Sequence, residues 1–219
     1  MRQALDRPSR GEATRTRLLD LAESAILSKG YAATSIEELI AAAGITKSGF
    51  FYHFAEKTDL AKALLRRDND RTQHAYETAY AAADAIHSDP LEAFIAALGM
   101  VSDMLTTSTG ALPGCLVAAF SYQEAHFDAE QRGLLHTALA VRHAQLRGRL
   151  EAITALHQPR AGIDLGDLAD MAIAVIQGGI ILDRVRVSPD IVGQQITLYQ
   201  TFVRAVFTGV GHSGESRAA

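Results

Sequence analysis

Residues 34–57, TSIEELIAAAGITKSGFFYHFAEK, constrain the fold more than any other part of the chain. Ser35, followed three residues later by Glu38, forms the capping box that begins a helix. Gly44 supplies the positive φ that a tight turn between two helices needs, and Thr46 offers the N-cap of a second short helix. Two short helices at this spacing predict a helix-turn-helix, a motif that places its second helix in the major groove of DNA.

The rest of the chain is predicted to be helical as well. Trp is absent and only 6% of the residues are aromatic, while Ala is frequent, which favours helices over sheets. The apolar fraction of 48% is enough for a sizeable core. We expect an all-α protein of about nine helices. A three-helix head over residues 11–71 carries the helix-turn-helix, and a larger helical body spans residues 72–210.

Charge is distributed unevenly along the chain. The net charge of the whole protein is −4, but residues 1–67 carry a net charge of +3 and residues 68–219 a net charge of −7. DNA attracts the first segment and repels the second, which biases the orientation of docking. An architectural, sequence-neutral DNA protein would instead have a strongly basic body.

The exposed face of the second short helix carries the candidate base and phosphate contacts. Lys47 can donate to guanine O6 and N7 or to a phosphate, and Ser48 can donate or accept. Gly49 would allow close approach to a base edge. Ser35 and Lys57 stand at helix N-termini, where free N–H groups suit a phosphate. The predicted DNA-binding residues are Ser35, Thr46, Lys47, Ser48, Gly49, Tyr52, His53 and Lys57.

This segment resembles the DNA-binding domain of the tetracycline-repressor (TetR-like) family of bacterial regulators. The resemblance covers residues 14–60, and the matching residues are Ser35, Leu39, Ala43, Gly44, Ile45, Thr46, His53, Phe54, Lys57 and Leu60. Three positions depart from the family pattern. Ile40 stands in place of the usual Ala, Ser48 in place of a frequent Gly, and Phe51 in place of the usual Tyr. Since Phe51 lacks the hydroxyl, a phosphate contact there falls to Tyr52.

The resemblance implies a homodimer that binds palindromic double-stranded operator DNA and is released from it by a small molecule, as a repressor is. Dimerisation is expected through the last two long helices, because the run MAIAVIQGGIIL is apolar nearly all round. Glycines in the middle of that helix cost stability unless another helix approaches closely. The predicted dimerisation residues are Ile176, Gly178, Gly179, Ile180, Leu198 and Phe202.

An apolar or aromatic effector is predicted, because aromatic and Met residues recur at helical spacing in the body. Such residues are also what an ordinary core contains, so this pattern supports both interpretations. The predicted effector-binding residues are Phe94, Met100, Met104, Phe120, Tyr122, His126, Ile176 and Gln177.

Two alternative functions remain open at this point. Cys115, the single cysteine, follows a Pro-Gly turn at a predicted helix N-terminus and could act as a redox- or electrophile-sensing thiol. A small helical enzyme is the remoter alternative, since no phosphate-binding loop, nucleophile elbow or zinc-protease motif occurs. His136 and His143 lack ligand partners at fitting spacing, so no metal site and no cofactor are predicted.

A cytoplasmic location is expected, with no membrane partner. The single cysteine fits a reducing compartment, and the N-terminus has no apolar run of the signal-peptide type. The longest apolar run, residues 171–182, is too short to span a bilayer.

Overall fold

The computed structural model describes residues 9–106, 115–123, 127–186 and 190–208. These residues form nine α-helices, which confirms the predicted all-α fold. The helices are α1 (Arg10–Lys29), α2 (Ile36–Ala43), α3 (Lys47–His53), α4 (Lys57–Ile86), α5 (Pro90–Thr106), α6 (Leu116–Ser121), α7 (Ala129–Ile153), α8 (Leu165–Arg186) and α9 (Ile191–Thr208).

The chain divides into two compact units. Unit 1 comprises Met1–Thr72 together with Pro113–Leu139, and unit 2 comprises Gln73–Leu112 together with Ala140–Ala219. Within unit 1, α6 and the start of α7 bury apolar side chains in one cluster with the N-terminal helices. The division into a head over residues 11–71 and a body over residues 72–210 stays a prediction.

The core of unit 1 is built from one face of each of its helices. Leu18, Ala22 and Ile26 recur at helical spacing on α1 and are buried. They share one cluster with Leu39 of α2 and Phe50 of α3. Further buried members come from α4, α6, the residue Phe127 before α7, and α7 itself, namely Leu60, Leu64, Leu65, Leu116, Val117, Phe120, Phe127, Leu135 and Ala138. Burial of these side chains fixes the three N-terminal helices on the others.

Unit 2 is organised around α9, which packs against both α5 and α8. Gly179 of α8 allows the contact with α9, since a Cβ there would lie 2.7 Å from the Cα of Val192. A close approach of another helix backbone to this glycine was predicted, and α9 of the same chain provides it. Ion pairs join the helices at the surface of unit 2, for example Arg149 with Asp84 at 2.8 Å.

One helix, over Leu165–Val185, is long and apolar enough by length and composition to cross a membrane. Residues 171–182 alone were expected to be too short to span a bilayer. The apolar stretch is longer than this run, because its apolar character continues on both sides. Within unit 2, Ala172, Ile176 and Ile180 of this helix are buried, and the helix packs along α9. A core helix of a folded domain passes the same test of length and composition.

Candidate nucleic-acid interface

Helices α2 and α3 begin and end at the residues that the sequence indicated. The Ser35 hydroxyl accepts a hydrogen bond from the Glu38 amide at 3.2 Å, and the Glu38 carboxylate accepts one from the Ser35 amide at 3.4 Å. Gly44 ends α2 in the left-handed conformation with φ of 64°. The Thr46 hydroxyl then accepts from the Gly49 amide at 3.1 Å, which begins α3. These local bonds produce the tight turn of a helix-turn-helix.

Buried side chains fix the orientation of α3 within unit 1. Phe50 is completely buried, and its ring centroid lies 5.5 Å from that of Phe51 and 6.0 Å from that of Phe54. Leu39 and Ala43 bring α2 into the same cluster. Since a helix of seven residues is unstable on its own, this packing is what holds α3 in place.

The opposite face of α3 is open to solvent. Thr46, Lys47 and Ser48 at its N-terminal end are exposed, and Tyr52 is 82% exposed. The Thr46 and Ser48 hydroxyls lie 3.0 Å apart, so the two side chains share a hydrogen bond. A large exposed aromatic side chain beside a lysine and two hydroxyls is a surface suited to a phosphate backbone and to base edges.

Gly49 and His53 have specific neighbours. A Cβ at Gly49 would lie 3.3 Å from the Thr46 hydroxyl oxygen, so the missing side chain leaves room for the cap of α3. This is a reason for glycine that the sequence did not suggest. The Cε1 atom of His53 lies 3.9 Å from the Cβ position of Gly11. The end of α3 therefore adjoins the first turn of α1.

Lys57 occupies a position that sequence reasoning missed. Its ammonium donates to the Tyr31 carbonyl at 2.6 Å and lies 3.4 Å from the Ala32 carbonyl. It also lies 4.3 Å from the centroid of the Tyr31 ring. Burial lowers the pKa of Lys57. The predicted phosphate ligand thus holds the turn between α1 and α2, a role that only the folded structure reveals.

Cations on one side of unit 1 are paired with carboxylates. Lys62 lies 2.8 Å from both Asp128 and Glu130, and these partners raise the pKa of Lys62. Arg67 pairs with Asp20 at 2.6 Å and with Glu23 at 2.7 Å. Arg66 and Arg71 of α4 also bind carboxylates. These charges are neutralised within the protein.

Cations near α3 are in a different environment. The Arg15 guanidinium lies 5.0 Å from the centroid of the Phe54 ring, directly after α3. Arg17 donates to the Ala42 carbonyl at 3.2 Å, next to the turn of the helix-turn-helix. Among the residues that the structure describes, no carboxylate lies within ion-pair distance of Arg15, Arg17 or Lys47. Arg15, Arg17 and Lys47 therefore carry positive charge beside the helix-turn-helix that no ion pair within the described residues neutralises.

The predicted effector-binding residues do not form one group. Phe120 is completely buried in the core of unit 1, whereas Phe94, Met100, Ile176 and Gln177 belong to unit 2. Tyr122 is 80% exposed and Met104 is 41% exposed. His126 lies outside the described residues. Phe120 thus belongs to the core of unit 1 and Tyr122 to its surface, and a single lining formed by the predicted effector-binding residues stays a prediction.

The predicted dimerisation residues also differ in their burial. Ile176, Gly179 and Ile180 are buried within unit 2, so their side of α8 is already covered by the same chain. Gly178 has no atom within 4 Å of its Cβ position. Leu198 and Phe202 on α9 are exposed. Exposed apolar residues that the sequence missed lie on α8, namely Met171, Ile181, Leu182 and Val185.

Fold and interface together define an all-helical protein with an N-terminal helix-turn-helix and a second helical unit. Residues 18–64 match the family model described as bacterial regulatory proteins of the tetR family. The chain is similar to the HTH-type transcriptional regulator TtgR of Pseudomonas putida, with 31% identity over 61 residues, which are 28% of this chain and 29% of that protein. The chain thus aligns with less than a third of the length of this curated relative.

Solved structures extend the likeness to the whole fold. A TetR transcriptional regulator from Chloroflexus aurantiacus has a TM-score of 0.77 at 21% identity, with 91% of this chain and 98% of that chain covered. Regulatory protein TetR from Rhodobacter sphaeroides has a TM-score of 0.74 at 19% identity, with 86% and 97% covered. The chain is therefore TetR-like, in the sequence of its helix-turn-helix and in the fold of its helices.

Proposed function

We propose that the protein is a sequence-specific DNA-binding transcriptional regulator, a homodimeric repressor that a small-molecule effector releases from a palindromic operator. The observation that carries this proposal is the exposed N-terminal face of α3, flanked by Arg15, Arg17 and Lys47 without carboxylate partners in the described part of the chain. A positive surface beside an exposed recognition helix is the electrostatic footprint of a DNA-binding protein. The similar proteins from Pseudomonas putida and Chloroflexus aurantiacus are named as transcriptional regulators, which supports the same function here.

A dimer is proposed because one recognition helix discriminates weakly. Each good bidentate base contact is worth only about 1–3 kcal/mol, so two heads on a palindrome are needed for useful specificity. The exposed apolar residues of α8 and α9 supply a surface for this contact, which we call the dimer surface. It comprises Met171, Ile181, Leu182, Val185, Leu198 and Phe202. Monomeric proteins rarely leave so many apolar side chains exposed on one pair of helices.

An effector site is proposed within unit 2, lined by Phe94, Met100, Ile176 and Gln177. Tyr80 adds a polar group that sequence reasoning missed, because its hydroxyl is buried and has no hydrogen-bond partner among the described residues. Burial raises the pKa of Tyr80, so the hydroxyl remains a donor near neutral pH. A buried donor without an acceptor costs about 1–3 kcal/mol. A ligand acceptor that satisfied this hydroxyl would bind with a corresponding gain.

The experiment that tests the DNA-binding function is selection of bound sequences from a random duplex pool by the purified full chain. Enrichment of a palindrome is the expected result, and its half-site spacing reports the separation of the two recognition helices. Failure of a folded, ligand-free protein to enrich any sequence would refute the proposal. The alternative that Cys115 acts as the switch predicts that a Cys115→Ser variant loses its response to oxidants.

The dimer surface is tested by Leu198→Asp, compared with Leu156→Asp as a matched control. Both leucines are more than 60% exposed and both lie in unit 2, but Leu156 belongs to neither α8 nor α9. Burial of a charge in an apolar interface opposes association. Leu198→Asp should therefore give monomers in light scattering and lose tight operator binding, whereas Leu156→Asp should remain dimeric. If Leu198→Asp and Leu156→Asp both remain dimeric, the dimer interface lies elsewhere.

A further inference from the structure

The turn between α1 and α2 determines where the helix-turn-helix begins. Gly30 ends α1 with φ of 88°, and its carbonyl accepts a hydrogen bond from the Thr34 hydroxyl at 3.0 Å. The Thr34 amide donates to the Tyr31 carbonyl at 3.2 Å, and Thr34 itself is buried. The next residue, Ser35, is the N-cap of α2. Any shift of this turn therefore moves the start of α2, and α3 moves with it.

Gln123 binds this turn from a distant part of the chain. Its side-chain carbonyl accepts a hydrogen bond from the Ala32 amide at 2.7 Å, across 91 residues of sequence. Its side-chain nitrogen lies 2.7 Å from the position that a Cβ at Gly30 would occupy. The amide group of Gln123 thus fills space that is free only because residue 30 is glycine. Its backbone amide donates to the Phe120 carbonyl at 2.9 Å, so Gln123 directly follows α6.

Aromatic packing supports the same junction. The Tyr31 ring centroid lies 5.5 Å from that of Phe120 and 5.5 Å from that of Phe127, and all three rings are buried. The Lys57 ammonium holds the Tyr31 carbonyl. The turn before α2 is therefore held by Lys57 of α4, by Phe120 of α6, and by Gln123 and Phe127.

We propose that Gln123 is a positioning residue for the recognition helix: the hydrogen bond that its side chain accepts from the Ala32 amide keeps the turn before α2 in the geometry that binds operator. The inference rests on the proposed DNA-binding function and adds a named control point to it. Among the described residues, Gln123 is the acceptor of the Ala32 amide, so loss of its side-chain carbonyl frees that amide. Lys57 and Thr34 still bind the Tyr31 and Gly30 carbonyls of the turn, but neither bond holds Ala32 N–H.

Three variants separate the hydrogen bond from general packing. Gln123→Leu removes the acceptor at similar size, whereas Gln123→Glu keeps an acceptor for the Ala32 amide. Tyr122→Leu changes the exposed neighbouring residue and serves as the control. Each full-length variant is measured for its dissociation constant with the palindrome that the wild-type protein selects and with unrelated duplex of equal length. Hydrogen exchange of the Ala32 amide is measured in the free proteins.

Gln123→Leu should weaken operator binding by about 3- to 10-fold, the effect of one hydrogen bond, and should speed exchange at Ala32. Its affinity for unrelated duplex should stay within about twofold of wild type, because the phosphate-binding cations are unchanged. Gln123→Glu and Tyr122→Leu should behave as wild type. A merely structural role would weaken both duplexes together, and that result would overturn the inference.

Failure of the inference and failure of the proposed function give different results. If the wild-type protein binds its palindrome and Gln123→Leu binds it equally well, the inference is overturned while the DNA-binding function stands. If the wild-type protein selects no palindrome, the proposed function is overturned, and the inference falls with it. Slow exchange at Ala32 in Gln123→Leu would overturn the inference as well, because the bond would then not protect that amide.

Discussion

Replacement of Lys57 by Met should destabilise the protein rather than simply weaken its hold on DNA. The ammonium donates to the Tyr31 carbonyl at 2.6 Å and lies 4.3 Å from the centroid of the same residue's ring. Met keeps most of the aliphatic stem, so the substitution removes the charge and its hydrogen bonds while the packing is largely retained. The turn between α1 and α2 then loses its contact with α4.

The magnitude follows from the contacts that are removed. A hydrogen bond from a charged group contributes about 1.5–3 kcal/mol, and a partly exposed cation–π contact adds about 0.5–1 kcal/mol. Burial lowers the pKa of Lys57, so part of this gain is offset by loss of hydration of the ammonium. The Tyr31 carbonyl also keeps its bond from the Thr34 amide, which limits the penalty for leaving it without Lys57. A net loss of about 1–2 kcal/mol is therefore expected.

Urea unfolding followed by circular dichroism at fixed protein concentration measures this loss. Lys47→Met is the matched control, since Lys47 is exposed on α3 and has no carboxylate within reach in the described part of the chain. It should weaken DNA binding and leave the free energy of unfolding within about 0.5 kcal/mol of wild type. The reasoning is refuted if Lys57→Met has wild-type stability and lowers the slope of log K against log salt by about one. That pair of results would mean that Lys57 binds a phosphate and not the turn.

Three further predictions concern the charges and the buried hydroxyl. Arg15→Ala should lower the slope of log K for operator binding against log salt by about one. Arg66→Ala, whose cation is paired with Glu130, should leave this slope unchanged. If the two variants have the same slope, Arg15 does not contact the DNA. Tyr80→Phe should leave the ligand-free protein as stable or more stable, as judged by thermal unfolding, since it removes a buried hydroxyl without a partner; a lower melting temperature would reveal a partner. Lys62 lowers the pKa of both of its carboxylate partners, so their contribution to stability is present above the ordinary carboxylate pKa of about 4 and is lost as pH falls through the lowered values. Lys62→Met should therefore flatten the fall in stability below about pH 4.5, and an unchanged fall would contradict the ion pairs.

Local sequence signals were sufficient to predict the helix-turn-helix. The caps at Ser35 and Thr46, the left-handed Gly44 and the buried Phe50 all depend on residues within a few positions of each other. Such interactions leave a pattern that can be read directly from the chain. The exposed side of α3 follows from the same periodicity, because the buried residues fix which face points outward.

Long-range packing could not be predicted in this way. Phe120 reads as an aromatic residue of a helical body, but it belongs to the core of unit 1 through contacts with residues about 90 positions earlier. Lys57 reads as a surface lysine at a helix N-terminus, yet two carbonyls of a preceding turn bind it. Neither contact has a sequence period, since the partners are brought together only by the tertiary fold.

The division of α8 into a buried and an exposed face has a related cause. Apolar residues occur nearly all round this helix, so the sequence predicts burial without indicating which side meets α9. Gly179 determines which side of α8 packs against α9, because its missing side chain leaves room for the α9 backbone at Val192. Ile176 and Ile180 then lie inward, and Ile181 and Val185 lie outward. The proposed dimer surface is thus a consequence of where one glycine lies.

The short recognition helix makes DNA specificity a property of the whole of unit 1. Seven residues cannot form a stable helix in water, so α3 takes its direction from Phe50 inside the cluster and from the turn that precedes α2. Lys57 and Gln123 hold that turn, and neither residue belongs to α3. Base contacts discriminate only when the donors are placed within a fraction of an ångström. Substitutions at Gln123 should therefore alter which operators are bound, although Gln123 lies outside α3.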